Sequence, residues 1–176
     1  MSTLRTRKLP TQKLIVHLDD ASESNSNPQL VDFQHWAAAL SPYLSSDASL
    51  CLKIVTVEEM TTLNQQFRGK NSATNVLSFP VDLPGDLLDE AQLAEGAEHT
   101  DEFLGDIAIC SKIVHKESEE QRKELEAHWA HLFLHGVLHL LGYDHQDNAA
   151  AEQMEQLETE LLATLMFPPP YQEYTA

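Results

Sequence analysis

Positive charge is scarce in this chain. Eleven Lys and Arg stand against 28 Asp and Glu in 176 residues, and the net charge of −17 repels bulk nucleic acid while favouring solubility. The cations are uneven as well, with none between Lys70 and Lys112 and none after Lys123. A broad basic face for coating DNA or RNA is excluded, and any RNA contact is confined to a small patch around Arg68, Lys70, Lys112, Lys116, Arg122 and Lys123. Cysteine is nearly as rare. The two present, Cys51 and Cys110, lie in apolar, strand-like runs and read as reduced core thiols rather than a disulfide framework. No stretch of 18 apolar residues occurs, and the opening MSTLRTRKLP has cations but no apolar segment behind them, so no membrane contact and a cytoplasmic location are expected. Neither a G-x-G-x-x-G run nor a P-loop is found among the six glycines, and no internal repeat is visible.

What the chain does have is concentrated near its C-terminal end. Three histidines fall within the eleven residues from His135 to His145, HGVLHLLGYDH. His135 and His139 are four apart in a run of helix formers, which puts them on one face with Cβ atoms roughly 5–6 Å apart. Gly142 can take the positive φ that ends the helix and lets the chain bring His145 back toward the pair. Three imidazoles on one ion are thus expected, and zinc is the first metal to consider because three protein ligands leave a fourth, open position. The spacing is also that of the metzincin proteases, H-E-x-x-H-x-x-G-x-x-H, except that the residue after the first histidine is Gly136. A glycine takes no proton, so the ligand set is retained while the proteolytic base is missing.

The histidine segment, with RGKNSATNVLSFP at Arg68 to Pro80 and LGDIAIC at Leu104 to Cys110, resembles the bacterial YbeY family over about Leu50 to Met166. The resemblance implies a zinc-dependent endoribonuclease directed at single-stranded RNA, active in small-subunit ribosomal RNA maturation and ribosome quality control. Its implied partners are ribosomal RNA, the small ribosomal subunit and ribosome-associated proteins, with no DNA. Where the family usually reads PTDVLSFP, this chain has Ala73, Thr74 and Asn75 before Val76, so no carboxylate stands at position 75. In this reading one Zn2+ per chain is held by His135, His139 and His145, with His135 at the chemistry. Arg68 then stabilises charge at phosphorus, and Arg68 with Lys70 binds the substrate. A zincin-like protease accounts for the histidines alone. A non-catalytic ribosome-assembly factor with a structural metal accounts for the resemblance but not for an open site.

Apolar patterning predicts strands over Lys13 to Asp19, Leu50 to Val57, Asn75 to Val81 and Phe103 to Cys110, the third at a sheet edge because Pro80 cannot donate to a ladder. A first helix opens at Asn27-Pro28 and buries Leu30, Phe33, Trp36, Ala37 and Leu40. A second repeats Met60, Leu63 and Phe67 and delivers Arg68. Residues 82–102 carry eight acids and no base, and form an exposed excursion with a short helix near Leu87 to Ala94. Ser111 caps a third helix with a solvated face at Lys112, Lys116 and Glu117 to Glu120. The metal-bearing helix runs from Glu124 to Leu141, with His128 and His131 hydrogen-bonded or at the surface rather than ligating. A last helix, capped by Asp147 or Asn148, is apolar at Met154, Leu157, Leu161, Leu162 and Leu165 and acidic outside. The expected fold is α+β, a small mixed sheet of about four strands flanked by helices, with the zinc-binding helix packed on the sheet. Residues 1–10 are expected as a flexible lead, 11–167 as a single metallohydrolase domain and 168–176 as a loose tail.

Overall fold

The computed structural model describes residues 11–22, 24–81 and 101–171. The N-terminal lead, nearly all of the acidic excursion with its short helix, and residues 172–176 lie outside them. Alternating apolar residues build strands β1 (Leu14–Asp20), β2 (Ala48–Val55), β3 (Val76–Pro80) and β4 (Glu102–Cys110). They form one sheet in the order β1-β2-β4-β3, with β1, β2 and β4 parallel and β3 antiparallel on the edge. The edge position expected from Pro80 is therefore found.

Helices α1 (Leu30–Ala38), α2 (Val57–Arg68), α3 (Ser111–Glu120), α4 (Leu125–Leu140) and α5 (Asn148–Thr164) complete the described fold. On one face of the sheet Leu14, Val16, Leu50, Leu52, Ile54, Ile107 and Ile109 meet Phe33 and Trp36 of α1 and Trp129, Phe133 and Val137 of α4. Phe33 is the hinge of this packing, with edge-on contacts to Trp36, Trp129 and Phe133. Trp36, Trp129, Phe33 and Phe133 are all fully buried, and truncating any one to Ala would cost about 3–5 kcal/mol. On the other face α2 covers only part of the sheet, where Val55, Met60, Leu77, Ala108 and Cys110 form a second, smaller core.

Several local expectations are corrected. Helix α1 begins at Leu30 rather than Pro28, because Gln29 and Asp32 form a reciprocal capping box, and Leu30 at that wet end is 47% exposed. Asn27 is instead buried and accepts a hydrogen bond from Ser111 Oγ. Ser111 is thus the first residue of α3 rather than its cap, and its hydroxyl ties the β1–α1 loop to that helix. Phe67, on the stripe with Met60 and Leu63, is 63% exposed, since the last turn of α2 reaches past the small core. Asp147 caps α5 by accepting from the Ala150 N–H at 2.7 Å. No helix among the described residues is long and apolar enough to cross a membrane.

Candidate metal and RNA-cleavage site

Helix α4 presses against the sheet where its own Gly136 permits it. A Cβ there would lie 3.1–3.2 Å from Ile107 and Ser78 side-chain atoms, and Ser78 Oγ donates to the Gly136 carbonyl at 3.0 Å. The position that carries the base in metzincins is therefore turned into the sheet and leaves no room for a carboxylate. With Gly136 inward, His135 and His139 come out beside β3. Their Nε2 atoms face each other at 3.0 Å, and the ring centroids are 4.5 Å apart. Gly142, at φ +98, turns the chain after α4, and the His145 ring arrives 5.1 Å from that of His139 and 6.1 Å from that of His135. The three expected ligands are thus brought together.

Two nitrogens cannot both point lone pairs at one another without something between them. His135 Nδ1 donates to Glu158 Oε1 at 2.5 Å, which makes its Nε2 the acceptor end of the ring. Burial and the neighbouring His135 and His145 charges push the His139 pKa down, opposed by the Tyr143 backbone and Asp144, so its imidazole is neutral at ordinary pH. Imidazole nitrogens gathered here, with a carboxylate behind the first, are a donor set that fits a divalent transition metal, and their ligand atoms fall into two adjoining groups, His131, His135 and Glu158, and His139, Asp144 and His145. Asp144 also stands within ligand range of His139 and His145.

Glu158 was not foreseen as part of this arrangement. It is fully buried on α5, accepting from His135, from His131 Nε2 at 2.9 Å and from the Tyr171 hydroxyl. Burial alone raises its pKa, but the His131, His135 and Tyr171 hydrogen bonds outweigh it and hold the group at about 2. Burial and the Glu158 charge in turn push the Tyr171 phenol far above its usual value. Pro170 beside it is buried, so the stretch from residue 168 to 171 lies against the domain. A signal existed: Glu158 is four residues from both Met154 and Leu162, on the apolar stripe of its helix.

Asn75 and Glu117 form a second linkage at the rim. Asn75 Nδ2 donates to Glu117 at 3.2 Å, and His128 Nε2 lies 2.8 Å from the same carboxylate. Glu117 is therefore not on a solvated face, and His128 and His131 are hydrogen-bonded as expected. Arg68, the last residue of α2, borders the same hollow of about 630 Å³ as Asn75, Ser78, His135, His139 and His145. Lys70 does not border it. Lys112 and Lys123 open onto two other hollows, so the basic residues do not form one patch around the histidines.

The sequence model of the family described as "Endoribonuclease YbeY" matches residues 19–166. The chain is 44% identical to the Endoribonuclease YbeY of Stutzerimonas stutzeri over 160 residues, covering 90% of this chain and 93% of that protein. Its fold is shared with the solution structure of TM1509 from Thermotoga maritima, at TM-score 0.53 and 23% identity, over 87% of this chain and 91% of the other. The family match spans most of the chain and the identity runs over nine-tenths of it, so the chain belongs to the endoribonuclease YbeY family.

Proposed function

We propose that the chain is a zinc-dependent endoribonuclease that cuts single-stranded segments of ribosomal RNA during maturation and quality control of the small ribosomal subunit. Residues 11–167 act as one catalytic domain in the cytoplasm, with the small subunit and its associated proteins as partners. The observation that carries this reading is the placement of Arg68 on the same hollow as His135, His139 and His145, while Gly136 faces the sheet. A guanidinium opposite three imidazoles suits a phosphodiester, whose charge rises as it is cleaved. A peptide bond needs the carboxylate base that is missing.

His135, His139 and His145 would hold one Zn2+, which supplies a Lewis acid for a phosphoryl oxygen when bound. The remaining chemistry belongs to side chains. Glu158 fixes the His135 tautomer and ring plane, and its negative charge raises the ring's donor strength. Arg68 donates to the non-bridging phosphate oxygens and holds the strand while charge develops on them. Asn75 puts a neutral amide at the rim in place of a further carboxylate and holds Glu117 by donating to it at 3.2 Å.

The test is incubation of metal-replete protein with structured ribosomal RNA and, in parallel, with casein, each with and without chelator. RNA should be cut, the chelator should abolish cutting, and casein should remain whole. Cleavage of casein alone overturns the reading.

A further inference from the structure

Strand β3 divides two hollows. Side chains alternate along a strand, so Ser78 and Pro80 face the histidine hollow while Phe79 faces a second one of about 540 Å³ on the other side of the sheet. Consecutive residues at the end of α2 repeat the division, Arg68 bordering the first hollow and Phe67 the second. The second hollow is largely apolar in its walls, and Phe67 stands 63% exposed above Phe79, ring centroids 4.9 Å apart at 63°. Its floor is a row of residues in cross-strand register, His17 beside Cys51, Cys51 beside Asp106 and Asp106 beside Phe79.

We propose that this groove is a nucleobase-stacking subsite, in which Phe67 takes one unpaired base of the RNA strand whose phosphodiester lies against Arg68 and the histidines. The inference rests on the endoribonuclease reading and names how its substrate is held. The distribution of charge selects this occupant. The first hollow is bordered by Arg68 and by one carboxylate, Asp144, whereas the second is bordered by Asp19, Asp106 and Lys53, whose ammonium is already paired with Glu59 at 2.5 Å. A phosphate therefore meets a guanidinium in the first hollow and two carboxylates with a neutralised lysine in the second. A neutral base tolerates the second, stacks on the aromatic ring, and can present an exocyclic amine to Asp106. Because β3 is an edge strand, the divide is a single strand wide, about 5 Å, and a nucleotide turned out of its strand can straddle it. An unpaired strand offers such a base at the lowest cost, since no pairing or stacking has to be broken first.

Two measurements test the subsite. In the first, metal-replete wild type and Phe67→Ala cleave a short single-stranded oligoribonucleotide and versions made abasic at each position in turn. Loss of the stacking ring should raise KM about 5–150-fold with little change in kcat. At one abasic position, wild type and variant should cleave alike. In the second, Phe67→Trp is titrated with a non-cleavable oligoribonucleotide. The native Trp36 and Trp129 are buried, so quenching of the new, exposed indole reports stacking without any turnover. A Phe67→Ala variant equal to wild type on RNA that wild type cleaves overturns the proposal. So does an equal deficit on every abasic substrate, or an indole that RNA leaves unquenched. If neither protein cleaves RNA, the endoribonuclease reading has failed, and quenching still decides the groove.

Discussion

In the proposed site Arg68 and Glu158 would divide the work at the residue scale, one toward the substrate and the other behind a metal-binding histidine. Arg68→Ala should lower RNA cleavage by about 10²–10³-fold with metal content and folding intact, and Arg68→Lys should recover only part, because an ammonium lacks the planar fork. Cleavage rates with metal analysis on the same samples check this, and an Arg68→Ala enzyme as fast as wild type removes the arginine from the chemistry. Glu158→Gln keeps the volume but loses the charge behind His135, so metal affinity should fall about 10–100-fold, read by competition with a coloured chelator. Unchanged affinity would leave Glu158 a packing residue. These two side chains also differ in how far the sequence exposed them. Arg68 could be singled out because it ends a helix, opens a loop rich in small polar residues and begins one of the segments that carry the family resemblance. Glu158 hid, since an acid among many acids on an amphipathic helix reads as solvent-facing until a partner 23 residues away in the chain is known.

Helix α4 was the most legible element, because its histidine spacing, its broad apolar arc and its terminating Gly142 agree with one another. Its neighbours were legible as elements but not as an arrangement. Nothing local in β1, β2 and β4 announces that they run parallel in the order observed, nor that Ser111 is tied to Asn27 across 84 residues. The closeness of α4 to the sheet was likewise invisible, and it governs a simple experiment. Gly136→Glu restores the metzincin motif in sequence, yet the new side chain points at Ile107 and Ser78. The variant should lose at least about 3 kcal/mol, through overpacking and a buried carboxylate, and should gain no activity on casein. Thermal unfolding and a casein assay together decide it, and a stable, casein-cleaving variant would contradict the geometry.

At the scale of the whole molecule, buried titratable groups make the fold sensitive to acid in two steps. His128 has its pKa pushed below 6.5 by burial, against the pull of Glu117, so below 6.5 the unfolded chain binds the proton that the folded chain refuses. Glu158, held at about 2 against an ordinary 4.5, contributes stability that is full above 4.5 and drains as pH falls toward 2. Chelator-stripped protein should therefore be flat in stability from pH 6.5 up to the range where the buried Cys110 thiol titrates, weaken gently below 6.5, and weaken more steeply below 4.5. Denaturant midpoints across pH check this, and His128→Gln should shrink the first step, to which His139 also contributes, while leaving the second. The link from His135 through Glu158 to Tyr171 also bears on biosynthesis. A chain leaving the ribosome presents Arg68 first, the three histidines long afterwards, and the carboxylate that sets His135 only once α5 has folded back onto α4. Until then the histidines hang on an unbraced helix. Under the proposed reading, the His135 ligand is braced only once synthesis has passed Glu158 and Tyr171.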